Sequence, residues 1–174
     1  MDKLTLLPFG LPGNIYRSPL PNSKMFDAEE EVLAAYKQAG VKWVVALVPD
    51  GEVLEHAGMH LHDLYRPLGI DVINNPVEDF SAPSHGAFDT ATRMVINMAK
   101  RGKTIAIHCH AGVGRTGMFT ACLARELWGW DADKAIAWVR DYIPGAVESD
   151  FQVQFVREYK EIQEKPHYPQ SVKL

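Results

Sequence analysis

Residues 103–117 read KTIAIHCHAGVGRTG, and the order of residue types in this stretch decides the fold. Lys103–Cys109 is a short apolar run rich in β-branched residues. Continuous apolarity over that length predicts a strand buried on both faces. Gly112, Gly114 and Gly117 come next, punctuation that ends one element and opens another. Residues 114–129 are then apolar nearly all round, with Met118, Phe119, Ala121, Cys122, Leu123 and Leu127. That pattern predicts a central, buried helix.

The alternation continues outward. KWVVALV (Lys42–Val48), stopped by Pro49, and DVINNPV (Asp71–Val77) predict two more strands buried on both faces, and IYR (Ile15–Arg17) an edge strand. Asp27 with Glu30 has the spacing of a capping box ahead of Val32, Leu33, Tyr36 and Ala39, with Gly40 as the stop. Residues 60–68 form a short helix limited by Pro67 and Gly69. Ser84 opens a helix to residue 101, with Phe88, Ala91, Val95 and Met98 on one face. Residues 131–143 and 149–165 are amphipathic helices separated by Pro144-Gly145. Strand 42–48, helix 52–68, strand 70–77, helix 84–101 and strand 103–109 make two βαβ crossovers, and crossovers of this length join parallel strands. The expected class is α/β: a central, mostly parallel sheet flanked by helices, with a helical C-terminal end. All three strands finish at one edge of the sheet, where open α/β sheets take their ligands. Pro49-Asp50, Glu78-Asp79-Phe80 and the stretch from Cys109 onward therefore share a cleft.

Composition narrows the function classes. A chain of 174 residues suits one domain, residues 1–174, with its own core. Hydrophobic residues at 47% and charged residues at 23% exclude disorder. The net charge of -4 and the lack of a polybasic block argue against nucleic acid or an anionic membrane as partner. No apolar run approaches transmembrane length. The N-terminal MDKLTLLPFGLPG is broken at Pro8 and Gly10, and it lacks the long apolar region and cleavage site of a signal peptide. Cys109 and Cys122 are too few for a disulfide scaffold, so a reducing, cytoplasmic setting is expected. Cys122, inside the buried helix, reads as core.

Cys109 reads differently because a glycine-rich loop and a helix start succeed it. A loop of His110, Ala111, Gly112, Val113 and Gly114 can curl its backbone N–H groups inward, and the helix N-terminus adds its positive dipole end. Arg115 supplies a fork that fits a tetrahedral oxyanion, and Thr116 places a hydroxyl back toward the loop. The expected result is a dianion socket with a sulfur at its floor, in a field that favours the thiolate. A thiolate beneath a phosphate monoester is placed for in-line attack on phosphorus. Gly112–Gly117 also fits G-x-G-x-x-G, but a dinucleotide site needs a following strand with an acid about 20 positions on. Here Asp131 and Asp133 open a helix. His108, Cys109 and His110 are poor metal ligands, because strand neighbours point to opposite faces and no second Cys/His pair has ligand spacing. His60 and His62 read as surface residues. No metal or cofactor is expected. Expelling an alkoxide or phenoxide needs a proton, so a carboxylic acid belongs over the socket. The topology offers Asp50, Glu78 and Asp79. Asp50 precedes Gly51 and a helix and reads as an N-cap, which leaves Glu78 and Asp79.

His108-Cys109, five further residues, then Arg115 and Thr116 resemble the signature of the protein tyrosine phosphatase superfamily. The compact length and the spacing are similar to its dual-specificity branch. The resemblance runs from IYRSPLP at 15–21 through PGAVESDFQ at 144–152. It implies a phosphatase-type strand, phosphate loop and helix. It also implies hydrolysis of phosphotyrosine, with phosphoserine or phosphothreonine, in phosphorylated protein substrates through a phosphocysteine. By that resemblance Cys109 is the nucleophile, and Arg115 with the amides of residues 110–115 holds the phosphoryl oxygens. His108 hydrogen-bonds around the cysteine, and Thr116 steadies the departing thiolate. PVEDFSAPS is similar to the family's general-acid loop, where an aspartate precedes a proline by a few residues; this picks Asp79. Gln152 falls where related small phosphatases carry a glutamine that orients the hydrolytic water, although alone it reads as a first-turn residue facing solvent. Arg17, in YRSPLP, either touches substrate or anchors the N-terminal segment, and anchoring is the favoured reading. Phosphoinositide and RNA 5′-phosphate phosphatases share this loop, as do pseudophosphatases that only bind phosphate. Positions 110–114 carry no Lys or Arg, which argues against a phosphoinositide. Intact Cys109, Arg115 and Asp79 argue against a pseudophosphatase.

Overall fold

Strand β5, Ile105–His108, lies at the centre of the sheet and is buried along its whole length. A computed structural model describes residues 2–83 and 85–163. Five strands, β1 (Thr5–Leu7), β2 (Ile15–Ser18), β3 (Trp43–Ala46), β4 (Asp71–Asn74) and β5, are ordered β1-β2-β5-β3-β4. β1 runs antiparallel to β2, and the other pairs are parallel. The helices are α1 (Glu31–Ala39), α2 (Asp50–Ala57), α3 (Leu61–Tyr65), α4 (His85–Lys100), α5 (Gly114–Trp128), α6 (Ala132–Tyr142) and α7 (Asp150–Gln163), with a single 3₁₀ turn at Arg66–Leu68. The architecture is the expected mixed sheet flanked by helices, and β3, β4 and β5 are the parallel strands read from the sequence.

Three details differ from the sequence reading. Ile15–Ser18 is an interior strand, because Thr5–Leu7 pairs along its outer side. Three residues are too few to carry an alternation, so β1 leaves no pattern to read. β4 is an edge strand, like β1, with its two end residues exposed and the middle two half-buried, so it is not buried on both faces as expected. The capping box is offset. α1 starts at Glu31 after Glu30 in a left-handed conformation (φ 57°), and the Asp27 carboxylate accepts from the backbone N–H groups of Glu31 and Val32. Ser84, the expected start of the fourth helix, lies outside the described residues.

Burial matches the predicted pattern at α5, whose residues from Gly114 to Arg125 are all buried. It packs against α4, α6 and α7. Phe9 closes one end of this layer against Trp128 and Trp138, with centroids 5.2 and 5.1 Å away. Cys122 is fully buried and unoxidised, and burial pushes its thiol pKa well up. Among the described residues no helix is long and apolar enough to cross a membrane.

Register then builds the site. Ser18, Ala46 and His108 are partners across three adjacent parallel strands, so β2, β3 and β5 end side by side. The loops leaving these strands, at 19–30, 47–49 and 109–113, depart from one edge. The loop after β4 joins them, because Val77 N–H donates to Leu47 O at 3.1 Å.

Candidate active site

Cys109 comes directly after the last residue of β5 and is 2% exposed. The chain then turns through residues 110–113 into α5. Gly112 makes the turn with φ 74°, and a Cβ there would collide with the Ser18 carbonyl oxygen. The loop is therefore seated directly on the end of β2, and a side chain at 112 would lift it off. A second tie runs from Leu20 N–H to His110 O at 2.9 Å. α5 begins at Gly114, so its first N–H groups and its dipole face the loop that Cys109 opens.

His108 anchors the floor. Its Nδ1 lies 3.1 Å from Cys109 O and its Nε2 lies 2.7 Å from the Tyr65 hydroxyl. Burial, with the Arg115 charge adding to it, lowers the imidazole pKa to about 4, so the ring is neutral near pH 7. The neutral ring donates from Nδ1 to the carbonyl and accepts the Tyr65 proton at Nε2. On the neighbouring strand Ser18 Oγ lies 2.5 Å from the Tyr36 hydroxyl, so hydroxyls of α1 and α3 fasten the ends of both β2 and β5.

Arg115 is 2% exposed. Its two terminal nitrogens donate to both Glu52 oxygens at 2.7 and 2.6 Å, and Nη1 also donates to Val77 O at 3.0 Å. Burial works to raise the Glu52 pKa, but the Arg115 hydrogen bonds and charge outweigh it and hold the carboxyl below its usual value. The guanidinium plane is thus fixed from the α2 side, and its buried Nε has no protein partner. Thr116 Oγ1 and Gln152 Nε2 are likewise buried without a protein partner. Buried polar atoms are nearly always satisfied, so three orphans on residues next to one loop mark a place built for a polar ligand.

Gln152 is 1% exposed, against the expectation of a solvent-facing residue. The start of α7 explains its orientation. Ser149 Oγ accepts from Gln152 N–H at 3.2 Å as an N-cap, and Gln152 Oε1 accepts in return from Glu148 N–H at 2.8 Å. The amide oxygen is thereby occupied, and the NH₂ group is turned against Gly114 at the head of α5.

Asp79 stands at the mouth, its side chain 56% exposed, with Oδ1 3.3 Å from Arg115 Nη2. Its loop is held down by Ser149 Oγ, which donates to Phe80 O at 2.9 Å. Asp79, Cys109, His110, Ala111, Gly114 and Arg115 line a single cleft of about 430 Å³. Glu78 is exposed and does not line it. Asp50 faces elsewhere. Pro49 is the N-cap of α2, and the Asp50 carboxylate accepts from Leu61 N–H at 2.8 Å and pairs with His60 Nδ1 at 2.7 Å. It caps the start of α3 rather than its own helix. Arg17 is buried at 2%, with Nε and Nη1 lacking protein partners, and it is not among the residues that line the cleft.

Three residues in or behind the cleft escape sequence reasoning. Glu52, in the first turn of α2, reads as ordinary complement to a helix dipole. His56, one turn on, stacks on the His110 ring with centroids 3.7 Å apart and planes 9° from parallel. Burial and the neighbouring His56 lower the His110 pKa. Glu148 also lines the cleft, its pKa raised by burial and by the Asp79 charge. A signal for Glu52 and His56 exists only in topology, because α2 leaves the same sheet edge as the loop.

Glu52, His56 and His110 also place possible metal-ligating atoms within 4.8 Å of one another. The arrangement does not fit an ion. Both Glu52 oxygens are engaged by Arg115, and stacked imidazoles direct their in-plane lone pairs side by side instead of toward one point.

Comparison with known proteins agrees with this geometry. Residues 20–127 match the family described as Tc-R-P, "Polymorphic toxin system, DSP-PTPase phosphatase". The mouse protein tyrosine phosphatase domain-containing protein 1 is 27% identical over 154 residues, covering 84% of this chain and 20% of that protein. Human cyclin-dependent kinase inhibitor 3 is 25% identical over 147 residues, covering 82% of this chain and 69% of that protein. The chain thus spans about a fifth of the first curated relatives it matches. Among solved structures, kinase associated phosphatase superposes with a TM-score of 0.83 at 21% identity, covering 91% of this chain and 94% of that one. Tk-PTP in its active form gives 0.72 at 30% identity, covering 86% and 92%. With the family matched over residues 20–127 and the fold shared with solved phosphatases, the chain belongs to the DSP-PTPase phosphatases, compact dual-specificity-like members of the protein tyrosine phosphatase superfamily.

Proposed function

We propose that the protein is a cysteine-dependent phosphomonoesterase that hydrolyses phosphotyrosine, and with it phosphoserine and phosphothreonine, in protein substrates. The observation that carries this reading is the convergence on one cleft of Cys109, the Arg115 guanidinium and the Asp79 carboxylate, brought together at one edge of the sheet.

The ester phosphate lies in the loop, with its oxygens on the amides of residues 110–115 and on Arg115. The Cys109 thiolate attacks phosphorus in line, the P–O ester bond breaks, and Asp79 gives its proton to the leaving oxygen. Loop amides and guanidinium hold the equatorial oxygens, where charge spreads in the transition state. Water, oriented by the free Gln152 NH₂, then attacks the phosphocysteine. Asp79 takes the water proton, the P–S bond breaks, and the electron pair returns to sulfur, where the Thr116 hydroxyl can donate. The chain supplies both the nucleophile and the acid. Both cysteines are reduced, which suits a cytoplasmic setting.

The solved relatives include PTPMT1 with PI(5)P bound, at 18% identity. The present cleft offers one guanidinium, already paired with Glu52, and no lysine, which favours single monoesters over polyanionic headgroups. The test is turnover by purified protein of nitrophenyl phosphate and of a panel of phosphotyrosine, phosphoserine, phosphothreonine, phosphoinositide and RNA 5′-triphosphate substrates. Cys109→Ser, which leaves the amides and Arg115 intact, is expected to abolish turnover and keep phosphopeptide binding. Residual activity within tenfold of wild type would remove Cys109 from its role.

A further inference from the structure

We propose that Phe80 and Phe151 flank a subsite beside the catalytic cleft that takes a large apolar residue next to the phosphotyrosine of a polypeptide substrate. The inference rests on the phosphatase reading above and narrows its substrate.

Phe80 carries the first argument. It is a bulky aromatic residue in the left-handed region, at φ 55°, where non-glycine side chains are disfavoured. Strain of this kind persists only where the surroundings impose it, and it clusters at ligand clamps. The surroundings here are explicit. Ser149 Oγ holds Phe80 O from one side, and Asp79 Oδ1 accepts from Phe80 N–H at 3.1 Å on the other. The result is a ring 59% exposed at the mouth of the cleft.

A second observation is a groove that the same residue lines. Asp79, Phe80, Ser81, Ser149, Asp150 and Phe151 line it, so it shares Asp79 and Phe80 with the catalytic cleft. Phe151, 74% exposed, brings a second aromatic side chain to it. The Ser149–Phe80 hydrogen bond ties the backbone of Phe80 to the start of α7, two residues before Phe151.

Charge selects the occupant. Asp79, Glu148 and Asp150 bring three carboxylates to the cleft and groove, and the one guanidinium there, Arg115, is tied to Glu52. A phosphorylated lipid would carry its anionic surface against this acidic rim. A polypeptide brings one phosphate, an apolar side chain for the groove, and lysines or arginines for the rim.

Two phosphotyrosine peptides test the proposal, alike in outer lysines and differing only in leucine or glycine at the two flanking positions. Wild type should show about tenfold higher kcat/KM for the leucine peptide, the scale of partly burying one aliphatic side chain. Phe151→Ala and Phe80→Gly should each bring that ratio toward one. Phe80→Gly should do so without lowering Tm, because glycine accepts the backbone conformation. A wild-type ratio near one, a ratio unchanged in both variants, or faster turnover of phosphatidylinositol phosphate vesicles than of either peptide would overturn the proposal. Nitrophenyl phosphate separates the two readings. If wild type leaves it intact, the phosphatase reading fails, and peptide Kd values measured with Cys109→Ser decide the groove alone: a tenfold preference supports it and equal values refute it.

Discussion

Glu52 accepts from both terminal nitrogens of Arg115, at 2.7 and 2.6 Å, although 63 residues separate the two in the chain. A fork engaged at both tips can meet a phosphoryl group only through Nε and the remaining N–H directions. Glu52 therefore sets the plane in which the guanidinium presents them. Glu52→Gln keeps the shape and loses the charge and one acceptor. Orthovanadate affinity should fall about tenfold and kcat/KM by a similar factor, with some loss of stability, because the buried guanidinium keeps only the half-exposed Asp79 as counter-charge. Arg115→Lys should be worse, because an ammonium cannot form two parallel hydrogen bonds. Vanadate titrations of both variants, read beside urea unfolding, check the order.

Asp79 as acid matters in proportion to how badly the leaving group needs a proton. Asp79→Asn should lower kcat on the order of 10²–10⁴-fold with phosphotyrosine peptides. A nitrophenyl ester, whose leaving group is far less basic, should lose clearly less. Ser149→Ala should shift the same balance more weakly, since it frees the acid loop without removing the acid. Its N-cap role alone would lower Tm by a few degrees and leave the leaving-group dependence untouched. Equal losses across leaving groups would detach both residues from proton donation.

Gln152 acts, on this geometry, only after the phosphocysteine has formed. Gln152→Ala should leave the first step intact and slow the second. Rapid-quench kinetics should then show a phenol burst matching the enzyme concentration, with phosphoenzyme trapped in acid. Linear release from the first turnover would assign Gln152 to packing.

His108 gives a stability prediction with a definite sign. The unfolded chain protonates this imidazole near 6.5 and the folded chain only near 4. Between those values the unfolded state binds more protons, so His108 weakens the fold as pH falls. The drop from pH 6.5 to 5 should cost about 2 kcal/mol. Glu52, whose folded value is lowered, adds stability that is present above 4.5 and lost as pH falls through that folded value. Urea unfolding at pH 7 and at pH 5 lies above the Glu52 range but also spans His110, lowered like His108, and His60, raised, so the difference between wild type and His108→Gln isolates the histidine: the variant should flatten the slope.

Much of this architecture is legible in the chain because each signal is local. Lys103–Thr116 holds a strand, a glycine turn and a helix start in consecutive residues, and the crossover lengths dictate parallel neighbours. What escaped depends on distant chain. Thr5–Leu7 becomes a strand only by pairing with Ile15–Ser18, and that pairing moves the latter from the edge to the interior. Glu52 looks like any acid in a helix's first turn until Arg115 arrives. Gln152 is buried because Glu148 and Ser149 fold back on it, an arrangement no helical periodicity encodes. The position of Asp79 in the cleft rests on Ser149, which lies far along the chain.

The seat of Gly112 on Ser18 has a thermodynamic consequence. The anion socket takes its curvature from a strand end, so its conformational entropy is lost when the chain folds and not when the ester arrives. Amide hydrogen exchange across residues 110–115 should accordingly be slow in the free protein and change little when phosphate binds. Replacing Gly112 with alanine would move that ordering cost onto binding, so that substrate would have to shape the loop it enters.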